Sequence, residues 1–545
     1  MTRQIRSRQE RAWRSDGIVC GKPHGWLRRR DTGHNARVVS EPFDAVIIGG
    51  GPAGATAARL LAAWGHSVRL LTRTVDQTRS LGESLPPSCA KLFDLLGATD
   101  AINNAGFLTS TGNTVWWGEG TTRTAAFVDG ATGWQVVRHD FDALLLRLAA
   151  SAGAQVVTGA LVRDVRLASE SGRPGPAVST VEYGTDDQPR QEVQASFVLD
   201  CSGRAGVVAR RGFRIADPTQ TTLALAATWT RPDGWGLADA SHTLVETYAD
   251  GWAWSVPVTP HRRYVTVMVD PRTTDLGAER GVTSRYEREI GKTVALRGVL
   301  NGATRETVPW GCDASLYHAD VCGGPGLLLV GDAASFIDPL SSYGVKKALA
   351  SAWLAAVVVH TSLTNASLAG VALELFTTRE REIHDASVRQ STTFFAEAAE
   401  RHLHPFWTGR AGGGDPADGP EPAADVDIAR LREDTAVLAA FEALRGARQI
   451  RLRRGDRLQI EARPALTLRE VVLEERLVLP TWPANGHGIR FLRDIDLVKL
   501  VELAPEHEHV PDLFEAYIRR CPPVSLPDFL GALSVLLAKG ALVDD

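Results

Sequence analysis

The sequence predicts an α/β chain built from a Rossmann-type domain, an antiparallel β-sheet domain interleaved with it, and an α-helical, winged-helix-like C-terminal module. Three observations carry this reading. FDAVIIG (43–49) is an apolar, β-branched run followed at once by a glycine-rich turn and an alanine-rich segment, the pattern of a buried parallel strand entering a helix. Between about 220 and 270 four strand-like runs crowd together: TLALAATW, HTLVETYA, WAWSVPV and YVTVMVD. Beyond residues 410–427, a Gly/Pro/Asp-rich stretch without apolar period, three short helical segments follow two strand-like ones.

Element by element, Ala55 to Trp64 reads as a helix ending at Gly65, and HSVRLL (66–71) as the second strand of a βαβ unit. Leu85 to Gly97 reads as a helix entered through Pro86 and Pro87. Phe141 to Ala152 is a further helix, and Gln155 to Val165 and Val193 to Leu199 are strands. LLLVG (327–331) returns to a buried strand, with a helix from about Val345 to Val359 after it. Past the linker, Val471 to Leu479 and Ile489 to Leu492 read as strands. Asp496 to Leu503, Val510 to Arg519 and Leu526 to Lys539 then read as helices, the last capped by Gly540. The expected domains are a basic leader (1–42), a discontinuous nucleotide domain (43–220 and 310–365) and a substrate sheet (221–309). A helical segment (366–409), a linker (410–427) and a C-terminal module (428–545) complete the division.

A chain of 545 residues exceeds one compact core. With 44% hydrophobic and 23% charged residues and a net charge of -4, it gives no reason to expect nucleic acid as a partner. Residues 1–40 are the exception, with ten basic residues against three acidic ones. That leader lacks an apolar segment, so it reads as a basic tail and not a secretory signal. The longest greasy stretch, Ala348 to Val359, is shorter than the roughly 18–20 residues of a membrane span and suits a buried helix. Six scattered cysteines without a CxxC pair point to a reducing cytoplasm, with neither a disulfide framework nor a metal site.

GGGPAG supplies G-x-G-x-x-G at Gly49, Gly51 and Gly54, with Ala53 inside it. The glycines permit the tight turn, the approach of a pyrophosphate, and close packing of helix on strand. The second strand ends in Thr72 and Arg73, where an acidic ribose ligand is usual; threonine still offers a hydrogen bond, and arginine suits a phosphate. VRHDF places Arg138 just before a helix, and FVLDCSGRAG ends a strand in Asp200, Gly203 and Arg204. In LLLVGDAASFIDPLSSYGVKKALASAW, Asp332 ends a strand, Pro339 turns the chain, and Gly344-Val345 opens a helix whose N-terminus would favour negative charge. GWAWSVP (251–257) points Trp252, Trp254 and Val256 to one strand face, with Ala253 and Ser255 behind.

Taken together, these motifs resemble the FAD-dependent monooxygenase superfamily, whose fold is of the p-hydroxybenzoate hydroxylase/glutathione reductase type. GESLPPS (82–88) and GWAWSVP look like its flavin-dependent (tryptophan) halogenase branch, with Val256 where that signature has isoleucine. The resemblance spans about 43–545. It implies FAD as cofactor, reduced FAD and dioxygen forming a C4a-hydroperoxide, and Glu83 and Ser84 beside the flavin. A halogenase passes hypohalous acid to an essential lysine on the stretch after the GES motif. Here that stretch, GFLTSTGNTVWWG (106–118), has no lysine and carries Ser110 near the expected place. A hydroxyl cannot hold hypohalous acid as an ammonium does.

The reading is therefore an FAD monooxygenase that hydroxylates an electron-rich aromatic substrate, with candidates Trp252, Trp254, Ser110 and Glu83 lining the flavin face. The similarity extends loosely to flavoproteins that hydroxylate tryptophan within a partner polypeptide, so the substrate is free, or tethered to a peptide or carrier. Electrons come from a flavin reductase or from NAD(P)H. A halogenase with a relocated lysine and a non-catalytic flavin-binding docking scaffold are the alternatives. Lys91, Lys346 and Lys347 read as surface or phosphate-side charges, Cys89 as a packing residue, and His507 and His509 as a solvated loop.

Overall fold

Phe43–Ile48 (β1) is fully buried over its last four residues and lies at the centre of a parallel sheet. In this computed structural model of the chain the described residues are 41–544, excepting 75–79, 119–121, 169–177, 219, 278–280, 413–427, 448, 481 and 483–486. The basic leader up to residue 40, and all but the first three residues of the expected linker, lie outside them. Two compact units are present: one takes in the chain through Thr364 with Phe376–Gly413, the other Asn365–Leu375 with Gly414–Asp545.

In the first unit β1 is followed by Pro52–Ala63 (α1) and Val68–Thr72 (β2). Further along the chain, Arg138–Ser151 (α2), Gln155–Thr158 (β3) and Gln191–Asp200 (β4) join the same layer. Four further strands then build a second sheet: Leu223–Thr230 (β5), Thr243–Tyr248 (β6), Gly251–Thr259 (β7) and Arg262–Val269 (β8). Leu327–Leu329 (β9) and Gly344–Thr364 (α3) return to the first layer. The parallel sheet runs β9–β4–β1–β2–β3, and α1 packs against both α2 and α3. Side chains of β1 are covered on both faces, which is why that strand reads as an unbroken apolar run. The run expected to be one strand over 155–165 is two. Gly159 turns the chain at φ +69°, and Leu161–Arg166 leaves to pair antiparallel with Ser179–Gly184.

The second sheet places β7 between β6 and β8, with β5 beyond β8. Its boundaries differ from the expected 221–309. Gly112–Trp116 pairs parallel with β6 and carries Thr122–Ala126 alongside, while Trp310–Asp313 pairs with β5. A parallel partner about 130 residues away leaves no local signal, so the split could not be read from adjacent strands. The GES stretch is likewise not the start of a helix. Gly82–Leu85 is a strand paired with Gly133–Val137; a 3-10 turn at Pro87–Cys89 leads into the α-helix Ala90–Leu95, with Gly97 beyond it at φ +59°.

α3 is 21 residues long, beyond the expected 345–359, and apolar enough to cross a bilayer by length and composition. Most of it is buried, including Leu349, Ala352, Ala355 and Val357–Val359, so it is a core helix. Five described cysteines are free.

The second unit has its own core of Val437, Leu497, Val501, Tyr517, Phe529 and Leu533 among others. Leu497–Leu503, Val510–Arg520 and Leu526–Ala538 are helices, as read. The hairpin of Gln459–Leu466 with Val471–Val478 and the pairing of Leu452–Arg454 with Leu542–Asp544 complete the module. Asp496 and Ser525 cap the first and third helices, accepting from Lys499 N at 3.1 Å and Asp528 N at 3.2 Å.

Candidate functional site

β1 delivers the chain to Gly49, whose φ of +107° only glycine adopts at low cost. A methyl there would meet the Cys201 carbonyl at 2.4 Å, and one on Gly54 would come within 1.8 Å of the Gly49 carbonyl oxygen. The turn is therefore tight on its protein side. On the other side Gly51 opens to a cavity, its nearest would-be contacts being Arg138 and Asp142 at 3.8 Å. Pro52 begins α1 and no side chain caps it, leaving the first N–H groups for a ligand.

That cavity has a volume of about 830 Å³ and collects most of the predicted residues: Gly49, Gly51, Ala53, Thr72, Arg73, Glu83, Arg138, Gly203, Asp332, Pro339, Gly344, Val345 and Trp254. Its residues fit FAD. The glycine turn leaves space where a side chain would stand, the helix N-termini of α1 and α3 open on it, and the buried Asp332 Oδ1 has no hydrogen-bond partner. Such an orphaned carboxylate oxygen is costly unless a ligand donates to it.

Five predicted residues do not reach the cavity wall. Gly54 packs helix against strand, as expected of it. Asp200 is fully buried and its carboxylate is engaged, accepting from Ser202 N, Val208 N and Ala209 N at 3.1, 2.7 and 2.9 Å. It shapes the DCSGR turn instead of binding a ligand. Ser84 is buried on its strand opposite Gln135. Ser110 is fully buried and accepts from Gln135 Nε2 at 3.1 Å, so it is a sheet residue with no access to the flavin side. Trp252 is only 2% exposed and packs in an aromatic core with Trp117, Phe395 and Trp407. Its ring meets Trp254 edge to face at 6.0 Å. The alternation of β7 holds, with Ala253 in the core behind; only the second tryptophan reaches the chamber.

Charge in the cavity centres on Arg138. Its Nε and Nη2 donate to Asp142 at 3.0 and 3.1 Å, and Glu83 lies 3.6 Å away. Burial pushes both carboxyls above their ordinary range, and Arg138 pulls them back. Burial works against the guanidinium, but Asp142 and Glu83 outweigh it and hold the charge on. Glu83 is therefore held in the cavity wall by Arg138. Burial pushes the Cys89 thiol up to about 12, which makes it a packing residue.

Asp338, beside the cavity-lining Pro339, accepts from Leu340 N at 3.0 Å, and burial pushes its carboxyl up to about 6. Its folded value lies above the unfolded value of about 4, so the folded state holds the proton more tightly. The carboxyl thus favours folding fully at acid pH, and that contribution is lost as pH rises through about 6. Asp338→Asn, which keeps the cap, is expected to raise the melting point at pH 8 by the equivalent of about 2 kcal/mol. The gain should shrink to nothing near pH 4. Thermal melts across that range check it, and a gain that does not depend on pH would refute the cause given.

The lysines were misjudged in one respect. Lys91 is exposed and Lys346 sits over the Tyr343 ring at 4.8 Å, but Lys347 is buried. Its Nζ donates to the carbonyls of Gly331 and Ser335 at 3.0 and 2.5 Å and lies 4.0 Å from Asp332. One turn on, Ser351 Oγ accepts from Gly331 N at 2.8 Å. An i,i+4 polar pair on an apolar helix was the available signal. Lys292 is held by Asp250 and Glu289 at 2.7 and 2.8 Å. Among the described residues no lysine lines the cavity.

The end of the cavity away from the glycine turn is walled by Ala224, Ala226, Trp254, Met268, Ala314 and Phe336, with Thr266 and Arg204 as polar members. Ala224, Ala226 and Met268 were not anticipated, because their position depends on β5 and β8 pairing across the sheet, nor was Phe336, which bridges to Tyr317. In β5 the signal was LALA, two small residues at alternate positions.

Fold and cavity together define a flavoprotein with an apolar chamber at the far end of its dinucleotide site. The chain belongs to the FAD binding domain family, whose pattern matches residues 43–367. It is similar to the tryptophan 2-halogenase of Chondromyces crocatus, 33% identical over 327 residues that cover 58% of this chain and 60% of that one. The chain thus spans less than two thirds of that relative's length. In fold it resembles the flavin-dependent halogenase CmlS (TM-score 0.71, 21% identity, 92% of this chain and 96% of that one). It also resembles the peptidyl tryptophan dihydroxylase QhpG (TM-score 0.64, 23% identity, 92% and 100%). FAD is the cofactor, and the chain stands in the halogenase-like branch without the halogenase lysine.

Proposed function

We propose that the protein is an FAD-dependent monooxygenase that hydroxylates an electron-rich aromatic substrate. The observation that carries this reading is the chamber wall: Trp254, Phe336, Met268 and three alanines, with no lysine amine among the described residues to hold a hypohalous acid. When bound and reduced, FAD would supply two electrons to dioxygen, one atom of which goes to the substrate and the other to water. The chain's residues do the rest. The N-terminus of α1 and its glycine turn would hold the pyrophosphate, Thr72 and Arg73 would take the ribose end, and Asp332 would face the ribityl hydroxyls. The N-terminus of α3 at Gly344-Val345 favours negative charge on the flavin ring. Trp254 and Phe336 exclude water and orient an aromatic ring, which needs no general base when it is already activated, as an indole or phenol is. Glu83 and Arg138 brace the wall between. Electrons come from a partner flavin reductase or NAD(P)H, and the names of QhpG and of the carrier-protein chlorinase of Pseudomonas fluorescens favour a tethered substrate.

The test mixes reduced holoprotein with oxygen and a panel of indoles and tryptophyl peptides, with and without chloride and bromide. Products are expected to gain oxygen whether halide is present or not. Halide-dependent incorporation of chlorine or bromine would overturn the reading, as would oxygen consumption that yields only hydrogen peroxide with every aromatic tried.

A further inference from the structure

We infer that Arg204 is the anchor for a carboxylate on the aromatic substrate, so that the chamber takes aromatic acids in preference to neutral aromatics. This rests on the monooxygenase reading for the identity of the chamber, and on four observations for the residue itself. First, Arg204 lines the cavity beside Phe336 and Ala314, where its partner Asp313 is also a lining residue. Second, it is held there by rings and not by a strong counter-charge. Its guanidinium lies over Phe336 at 4.0 Å, and its one carboxylate neighbour, Asp313 at 3.5 Å, is 72% exposed. Solvent screens such a pair heavily, so most of the positive charge is left uncompensated.

Third, Arg204 Nη1 is buried without a hydrogen-bond partner. A guanidinium fork with an unused N–H beside a cavity is the geometry that a carboxylate or phosphate completes in bidentate fashion. Fourth, the position is braced. Phe336 stacks on Tyr317 at 6.0 Å, Arg204 lies within 5.9 Å of the Tyr317 ring as well, and Arg214 packs on that ring at 3.7 Å. Arg214 Nη1 donates to the Arg204 carbonyl at 3.0 Å. Two like charges on one stack of rings keep the local field positive, although the buried Asp200 offsets part of the charge of Arg214. The chemistry is that of a planar anion joined to a ring: the ring against Trp254 and Phe336, the anion on Arg204. A free indole carboxylate supplies this, and so does a tryptophan with an acidic neighbour in a peptide.

The experiment titrates oxidised holoprotein with four probes and follows the visible flavin spectrum and heat of binding. The probes are indole-3-acetate, its neutral amide, a tryptophyl peptide with a flanking glutamate, and the same peptide with glutamine. Wild type is expected to bind the acid, or the glutamate peptide, roughly 10- to 100-fold more tightly than the neutral counterpart. Which acidic probe shows the preference tells a free substrate from a tethered one. Arg204→Leu should bring the ratio near one while FAD content and affinity for the neutral probe stay as they were. Arg204→Lys, which keeps charge but not the fork, should fall between. Equal binding of acid and neutral probes by wild type overturns the proposal. Loss of FAD from Arg204→Leu overturns it too, because the residue would then serve the cofactor. Turnover enters none of these readouts, so a protein that binds acids through Arg204 but forms no oxygenated product would refute the monooxygenase reading alone.

Discussion

Gly54→Ala is expected to purify without yellow colour. The added methyl would stand 1.8 Å from the Gly49 carbonyl oxygen and 3.2 Å from Cys201 Cβ. The first of these is backbone and cannot rotate away, so α1 must separate from the end of β1. That displaces the uncapped N–H groups at the start of the helix from the position the pyrophosphate requires. A shift of a few tenths of an ångström in several charge-assisted hydrogen bonds costs about 3 kcal/mol or more, a loss of at least roughly 100-fold in FAD affinity. Gly291→Ala is the matching control: it lies within the helix Val282–Lys292 with nothing within 4 Å of the new methyl. It should keep full flavin occupancy. Flavin absorbance per protein, measured after gel filtration, decides; a yellow Gly54→Ala protein would mean that the turn is not the pyrophosphate site.

Arg138→Met carries the second large effect, this time on stability. The variant leaves Asp142, formerly bonded at 3.0 and 3.1 Å, and Glu83, formerly 3.6 Å away, without their cation. Breaking a partly buried network by removing one partner costs about 3 kcal/mol at neutral pH or above. Burial already raises both carboxyls, and without Arg138 they rise further. Their folded values then lie well above the unfolded ones. Proton uptake therefore favours the folded variant as pH falls, and the deficit against wild type should narrow between pH 8 and pH 5. Melting curves at both values test this. A deficit of the same size at both would show that lost packing, not the uncovered carboxylates, is the cause.

How much of this was legible differs by element. FDAVIIG-GGPAG could be read outright, because a strand buried on both faces and a glycine turn are local patterns and the turn's chemistry is set by a few consecutive residues. The alternation of GWAWSVP was equally plain. What the alternation could not tell is how far each tryptophan stands from the chamber: both belong to one aromatic core, and only Trp254 also lines the cavity. Asp200 and Ser110 were misplaced for a related reason. A polar residue at a strand end can serve a ligand or its own turn, and only the tertiary structure shows that Asp200 caps Val208 and Ala209. Lys347 was taken for an outer charge because lysines seldom go inside. Its burial is explained by two carbonyls of a distant strand end, which no neighbouring residue announces. The aromatic and alanine wall depends on β5, β7 and β8 lying side by side, a matter of pairing over tens of residues.

The parallel partnership of Gly112–Trp116 with β6 has a consequence for biosynthesis. On the ribosome the amino-terminal βαβ unit can form early from near neighbours, but the edge of the second sheet must wait for a stretch made long afterwards. Such remote pairing is slow, since chain entropy is lost before contacts compensate it. The nascent polypeptide therefore exposes Trp116 and its apolar neighbours until synthesis has passed residue 248, and this interval is when chaperone dependence and aggregation during expression should concentrate.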